Sequence, residues 1–319
     1  MKPKVYITRK LPDEIVKPIR ETCEVRMWDQ EKEPVPHAVL EKEIKRVDGL
    51  FCMLTEQVDH SLLKKAKNLK VVANMAVGYN NIDIEAAKEC GIVVTNTPGV
   101  LTETTADLTF ALLMATARRI PEASNYLREG NWTAWSPMQL TGQDIYGATL
   151  GIVGMGRIGE AVAKRAIGFD MNVVYHNRRR NQEAESRLDL QFKEFEDLLK
   201  ESDFVCVMTP LTSETEDLIG GEQLEMMKRS AVLINTARGG IVNEDALYEA
   251  LTNDIIWAAG LDVFKEEPVP LDHPLLRLSN VVTLPHIGSA SVKTRLRMAE
   301  VAAMNLLKVL EGEEAPNKV

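Results

Sequence analysis

The architecture is set by the stretch Thr149-Leu150-Gly151-Ile152-Val153-Gly154-Met155-Gly156-Arg157-Ile158-Gly159. An apolar run, Leu150–Val153, leads into glycines spaced G-x-G-x-x-G, and a helix-type segment rich in alanine (Ala161, Ala163, Ala166) follows. In a strand–turn–helix unit each glycine has a separate task. Gly154 permits a tight turn, Gly156 lets the backbone approach a pyrophosphate, and Gly159 allows the helix to pack closely on the strand. Arg157 and Ile158 lie at the helix start, where free N–H groups and the positive dipole end favour phosphate. A lone glycine pattern is a weak signal. Between a buried-type strand and a helix, it predicts the phosphate turn of a dinucleotide-binding fold.

Outward from that turn the chain alternates strands and helices twice over. The first series has strand-like runs at Val5–Thr8, Cys23–Trp28, Gly49–Leu54, Val71–Met75 and Ile92–Thr95, with helical patterns at Pro12–Thr22, Val39–Arg46, Ser61–Lys67 and Ile84–Cys90. The second has strands at Leu150–Val153, Val173–Tyr175, Phe204–Met208, Val232–Asn235, Ala258–Val263 and Val281–Leu284, with helices starting near Gly156, Glu194, Glu222 and Glu244. Short apolar runs separated by helices imply parallel sheets covered on both faces. The expected fold class is therefore α/β, with two doubly wound parallel-sheet domains, Rossmann-like or flavodoxin-like, and a cleft between them. A long helical pattern, Glu103–Arg119, and an aromatic, loop-like stretch up to Tyr146 join the two series. A last helix, Ser289–Leu310, follows the final strand, and the residues alone leave open which domain it covers.

Composition narrows the function classes. The 319 residues suit two domains, and 45% hydrophobic with 27% charged residues is ordinary for a globular protein. A net charge of −9 without a basic block argues against nucleic acid as a partner. The longest apolar stretch, Leu108–Ala117, is about half of a membrane span, so no membrane partner is expected. The N-terminus lacks the apolar core of a signal peptide, and Cys23, Cys52, Cys90 and Cys206 are scattered without CxxC pairing. These features predict a cytoplasmic protein with reduced thiols. No His/Cys/Asp cluster has ligand spacing, so no metal is expected.

The end of the next strand discriminates between cofactors. An NAD site carries Asp or Glu there, roughly 20 residues past the turn, to accept from the ribose 2′-hydroxyl. This chain reads Val173-Val174-Tyr175-His176-Asn177-Arg178-Arg179-Arg180. Asn177 takes the acidic position, and Arg178 and Arg179 can pair with a 2′-phosphate that a carboxylate would repel. NADP(H) is predicted over NAD(H), and at least one of the three arginines is expected to be plain surface.

Three further groups lie at strand ends, where ligands of open parallel sheets bind. They are Arg238 in Asn235-Thr236-Ala237-Arg238-Gly239-Gly240, the acids of Asp262-Val263-Phe264-Lys265-Glu266-Glu267-Pro268, and His286 in Leu284-Pro285-His286-Ile287-Gly288-Ser289. An arginine fork matches a carboxylate and can polarise a neighbouring carbonyl. A histidine exchanges protons near neutral pH, and an adjacent carboxylate orients it. Beside a nicotinamide, that set serves hydride transfer to a 2-keto acid.

With these motifs and Ala76-Val77-Gly78-Tyr79-Asn80-Asn81-Ile82-Asp83, the chain resembles the D-2-hydroxyacid dehydrogenase family nearly end to end. Trp132-Thr133-Ala134-Trp135, the arginines after Asn177 and His286-Ile287-Gly288-Ser289 resemble its glyoxylate reductase/hydroxypyruvate reductase branch. The resemblance implies that Arg238 binds the substrate carboxylate and keto oxygen, that His286 donates the proton, and that Glu267 is its partner. It implies substrate contacts from Val77, Gly78, Leu54, Ser289 and Arg295. It implies cofactor contacts from Thr105, Pro210, Thr236, Asp262 and Gly288 beside the Gly154–Gly159 turn. Trp135 resembles a residue that reaches a neighbouring subunit's active site, which makes the arm of about residues 120–147 an element of a homodimer. The implied division is a substrate domain of residues 1–99 completed by 287–319, and a dinucleotide domain of residues 100–286.

The expected activity is NADPH-dependent reduction of glyoxylate or hydroxypyruvate. The alternatives are 2-ketogluconate, D-lactate or 3-phosphoglycerate oxidoreduction, or a dinucleotide-dependent corepressor-like protein without turnover. His37 and His60 read as exposed, His273 as a structural turn residue, Asp107 as hinge or helix packing, and His176 as surface or a 2′-phosphate neighbour.

Overall fold

A computed structural model of the chain describes residues 2–319. It divides into two compact units, residues 2–101 with 290–319 and residues 102–289. In the first, the strands are β1 (Lys4–Ile7), β2 (Glu24–Met27), β3 (Gly49–Cys52), β4 (Val71–Asn74) and β5 (Val93–Thr95). Helices α1 (Asp13–Thr22), α2 (His37–Ile44), α3 (His60–Leu63) and α4 (Ile84–Glu89) alternate with them. The strands pair in parallel in the order β2-β1-β3-β4-β5. β3 and β4 are buried at every residue, as expected of strands covered on both faces. One face packs on Leu40, Ile44, Leu62 and Leu63. The other takes α1 and the C-terminal helix, Val292–Leu310, whose Leu306 sits against Gly49. That places the last helix, which the residues alone left open, on this sheet.

The central unit contains α5 (Thr102–Ala117), α6 (Ile120–Arg128), β6 (Thr149–Val153), α7 (Arg157–Ile167), β7 (Asn172–His176), α8 (Gln182–Leu188), β8 (Gln191–Phe192), α9 (Phe195–Glu201), β9 (Phe204–Val207), α10 (Gly221–Met226), β10 (Val232–Asn235), α11 (Glu244–Thr252), β11 (Ala258–Leu261) and β12 (Val281–Thr283); the C-terminal helix is α12. The sheet is parallel throughout, in the order β12-β11-β10-β9-β6-β7-β8. Strand order reverses between β6 and β9, the switch point at which doubly wound sheets open a ligand crevice. Gly154 lies there with φ +107, and a Cβ on it would come within 2.7 Å of the Met208 and Thr209 backbone. No other residue type satisfies both conditions.

Two features differ from the reading of the sequence. The sheet has seven strands rather than six, because β8 is a two-residue edge strand preceded by the mostly polar helix α8, which buries only Ala184. Such short elements give no periodic apolar signal. The linking helix also stops at Ala117. Arg119 takes a left-handed conformation with φ 51, and α6 starts beyond it with a proline in its first turn. After α6 the chain has no regular structure up to β6, and Ile120, Leu127, Trp132, Trp135, Met138 and Tyr146 are exposed.

Leu306→Ala removes a fully buried side chain between α12 and β3, at an expected cost of about 2–5 kcal/mol. Amide exchange in β3 and β4 should accelerate while that of β9 and β10 stays unchanged. Equal acceleration in both sheets would contradict this division of the chain.

Candidate active site

Three turns at the carboxyl ends of β10, β11 and β12 carry the reactive groups. After β10, Asn235 forms an Asx turn: its Oδ1 accepts from the Ala237 N–H (3.1 Å) and its Nδ2 donates to the Arg238 carbonyl (2.9 Å). Arg238 adds a bond from Nη1 to the Ala237 carbonyl at 2.8 Å. Gly239 then packs directly on the chain after β11, where a Cβ would overlap the Phe264 carbonyl group and the Lys265 nitrogen. The arginine turn and the loop bearing Glu267 are thus in van der Waals contact through backbone. Burial lowers the Arg238 pKa and the Glu267 charge opposes that shift. A guanidinium stays a cation under such a shift.

Asp262 follows β11 and is fully buried. Its carbonyl accepts the His286 N–H (2.9 Å), and its carboxylate accepts the N–H groups of Ile287 and Gly288 (2.8 Å each). One residue therefore holds the whole Pro285–Gly288 turn. This matters because His286 adopts a left-handed backbone with φ 54, a conformation that costs a non-glycine residue on the order of 1–3 kcal/mol. Burial raises the Asp262 carboxyl pKa, and the Ile287 N–H, the His286 charge and the Gly288 N–H oppose it.

Within this framework His286 Nδ1 lies 2.6 Å from Glu267 Oε2. Glu267 Oε1 accepts the Phe264 N–H at 3.0 Å. An ionised carboxylate only accepts, so Nδ1 carries the hydrogen and Nε2 is the atom left for other chemistry. Burial works to raise the Glu267 pKa, but the His286 hydrogen bond and charge, the Phe264 N–H and Arg238 outweigh it and hold the carboxyl below its ordinary value. Arg238, Glu267 and His286 are therefore coupled by geometry and charge in one unit.

The glycine turn faces a cavity of about 790 Å³ lined by Gly154, Gly156, Asn177, Arg178, Arg179 and Pro210 among others. A Cβ on Gly156 would meet nothing within 4 Å, so a side chain there would fill the approach to the backbone N–H groups that open α7. Those features fit the pyrophosphate of a dinucleotide. Asn177 turns inward: Oδ1 accepts the Met155 N–H (2.7 Å) and Nδ2 donates to the Met155 carbonyl (3.3 Å). It braces the turn itself. Arg178 pairs with Glu214 (2.5 Å) on the rim, Arg180 is held away by Glu185 (2.5 Å), and Arg179 makes no ion pair among the described residues. The His176 ring bonds through Nδ1 to the Lys193 carbonyl (3.0 Å). Thr105 and Thr236 are buried, and Thr236 bonds Thr109 (2.6 Å), whose own hydroxyl hydrogen goes to the Thr105 carbonyl.

Other predicted residues lie elsewhere. Ser289 ends the central unit, whereas Arg295 belongs to the first turn of α12, and Leu54, Val77 and Gly78 follow β3 and β4 in the N-terminal unit. There Asn96 and Asn74 donate to the Val77 and Gly78 carbonyls (2.9 Å each). Trp135 is 77% exposed. Sequence reasoning missed Asn235, Asn74 and Asn96. The signal was present in asparagines at strand ends, where that side chain mimics a backbone turn.

Residues 110–288 match the model of the D-isomer specific 2-hydroxyacid dehydrogenase, NAD binding domain. The chain belongs to the D-2-hydroxyacid dehydrogenase family. It is 52% identical to the glyoxylate reductase of Korarchaeum cryptofilum, over 100% of this chain and 96% of that protein. A protein of Thermus thermophilus superimposes with a TM-score of 0.92 at 50% identity, covering 99% of each chain. An NADPH-dependent glyoxylate/hydroxypyruvate reductase of Sinorhizobium meliloti, in complex with NADP and malonate, superimposes with a TM-score of 0.89 at 33% identity, covering 100% of this chain and 97% of that one. This dehydrogenase thus falls in the glyoxylate reductase branch and is an NAD(P)-dependent enzyme acting on a small keto acid. Among the described residues, no helix is long and apolar enough to cross a membrane and no group of ligands could hold a metal ion.

The depressed Glu267 pKa makes a prediction about stability. Its contribution is fully present above the ordinary value of 4.5 and is lost as pH falls through the lower value of the folded protein. Glu267→Gln should therefore lower Tm at pH 7 and at pH 5.5 alike, with the difference from wild type shrinking only below about pH 4.5. A gap that closes between pH 7 and 5.5 would show that the carboxylate is not held this way.

Proposed function

We propose that this dehydrogenase reduces glyoxylate and hydroxypyruvate to glycolate and D-glycerate with NADPH. The observation that carries this reading is the 2.6 Å His286–Glu267 pair, with the Arg238 charge helping to hold the Glu267 carboxyl low, in the same unit as the glycine turn. When bound, the dinucleotide supplies the hydride. Arg238 binds the substrate carboxylate and stabilises negative charge growing on the keto oxygen, an effect worth about 2.7–4 kcal/mol per donor in comparable sites. His286 delivers the Nε2 proton to that oxygen, and Glu267 keeps the ring oriented and stabilises its cationic form before transfer. The N–H groups of Val77 and Gly78 have no acceptor among the described residues, while their carbonyls are tied down. That arrangement suits them as donors to a carboxylate. Leu54, Ser289 and Arg295 are assigned as further substrate contacts on the family resemblance.

NADP(H) is the proposed preferred cofactor. Asn177 replaces the acid that would repel a 2′-phosphate, and Arg178 and Arg179 border the same cavity. Glu214 holds Arg178 there, but exposed ion pairs contribute little, so a phosphate can take its place. Thr105, Thr236, Pro210 and Gly288 are assigned to the cofactor on the resemblance. Asp262 is assigned a part beneath them, because its carboxylate is already bound to the turn it supports. The exposed aromatic arm with Trp135 is the proposed contact of a homodimer.

Arg238→Ala and His286→Ala should each lower kcat/KM for glyoxylate at least a hundredfold, with the circular dichroism spectrum unchanged. Near-normal turnover in either variant would end the assignment. In a panel of small 2-keto acids with both cofactors, wild type should favour NADPH, and Arg178→Gln with Arg179→Gln should abolish that preference. Tight dinucleotide binding without turnover on any keto acid would instead favour the corepressor-like reading.

A further inference from the structure

The loop between β11 and the 3-10 turn Pro274–Arg277 carries Glu267, and it has no regular secondary structure. A segment of that kind loses conformational entropy when ordered and stays mobile unless something ties it. Glu244, the first residue of α11, ties it at both ends. Its Oε1 accepts the Lys265 N–H at the loop entry (2.6 Å), and its Oε2 accepts from His273 Nε2 at the loop exit (3.1 Å). Glu267 sits between those two attachment points. The Phe264 ring lies edge-on to His273 with centroids 5.9 Å apart, and the Phe264 N–H is the one that Glu267 accepts. His273 Nδ1 is buried without a hydrogen-bond partner, so Nε2 carries the hydrogen and points to Glu244.

One loop therefore belongs to two carboxylate–imidazole pairs of opposite sense. It gives a carboxylate to His286 on one side and an imidazole to Glu244 on the other. We propose that Glu244 and His273 are positioning residues that staple the 265–273 loop shut, fixing Glu267 and through it the orientation of His286. The proposal rests on the reading that His286 and Glu267 perform the proton transfer. Neither Glu244 nor His273 touches the reacting groups, and both act through the loop. The consequence is specific. Releasing the staple should disturb the proton donor while leaving the glycine turn, which lies on other strands, as it was.

The test uses the full-length enzyme with Glu244→Ala, His273→Leu and His273→Gln. The glutamine variant keeps a side-chain donor for Glu244, and the leucine variant does not. Glu244→Ala and His273→Leu should lower kcat about tenfold or more, since small misplacements of reacting groups cost up to about a hundredfold. The dissociation constant of NADPH, read by fluorescence titration, should stay within about twofold. His273→Gln should recover most of kcat. In protein labelled with nitrogen-15 histidine, the downfield Nδ1–H resonance of His286 should broaden or shift in the two disruptive variants and return in His273→Gln. Wild-type kcat and an unmoved resonance in both disruptive variants would overturn the inference, even where His286→Ala is inactive. A loss of kcat accompanied by equal losses of NADPH binding and thermal stability would also overturn it, since that is general destabilisation. Turnover surviving in His286→Ala would instead overturn the underlying functional reading.

Discussion

The hydrogen bond from His286 to Glu267, at 2.6 Å, is the contact around which the central unit is arranged. It forces three conditions on the chain. The histidine must be held on a tight turn beyond β12, the glutamate must be held on an irregular loop beyond β11, and the two must face each other near the arginine beyond β10. Parallel strands deliver all three to one edge of the sheet, but only to within the freedom of their loops. The remaining precision comes from side chains bonded to backbone: Asn235 under Arg238, Asp262 under His286, and Glu244 beside Glu267.

The balance at His286 is decided by magnitudes. Its left-handed backbone costs on the order of 1–3 kcal/mol, and Asp262 is a carboxylate held out of water, which is unfavourable as well. Against this stand hydrogen bonds to the carboxylate of Asp262, each contributing roughly 1.5–3 kcal/mol as bonds to a charged group. Together with the Asp262 carbonyl, which accepts the His286 N–H, these bonds hold the turn in its left-handed conformation. The ring is thereby oriented by the turn itself, the condition under which the proposed donor would act without reorganising. The same logic explains Gly239, where any side chain would drive the Arg238 turn off the Phe264 carbonyl.

Much of this was legible in the sequence, and the failures have physical reasons. The two parallel sheets followed from apolar runs such as Leu150–Val153 and Val232–Asn235, since strands buried on both faces leave an unambiguous pattern. β8 and α8 left none, because they are short and largely solvated. Arg238, Glu267 and His286 stood out because their chemistry is complementary and each follows a strand. Asn177 borders the cavity at the glycine turn as its position predicts, and its bonds to the Met155 backbone are a detail that spacing does not give. Sequence spacing locates a residue on a turn but does not say which way its side chain faces. His273 read as a turn residue for the same reason. Its partner Glu244 is distant in sequence, and only the fold brings the two together.

The central claim is that His286 and Glu267 act as one proton-delivering unit. A double-mutant cycle on single-turnover oxidation of bound NADPH by glyoxylate tests it most directly, with His286→Gln, Glu267→Gln and the double variant. Groups that act as a unit are strongly non-additive. The double variant should therefore be no slower than His286→Gln alone. Losses that multiply across the two substitutions would show independent roles and contradict the account.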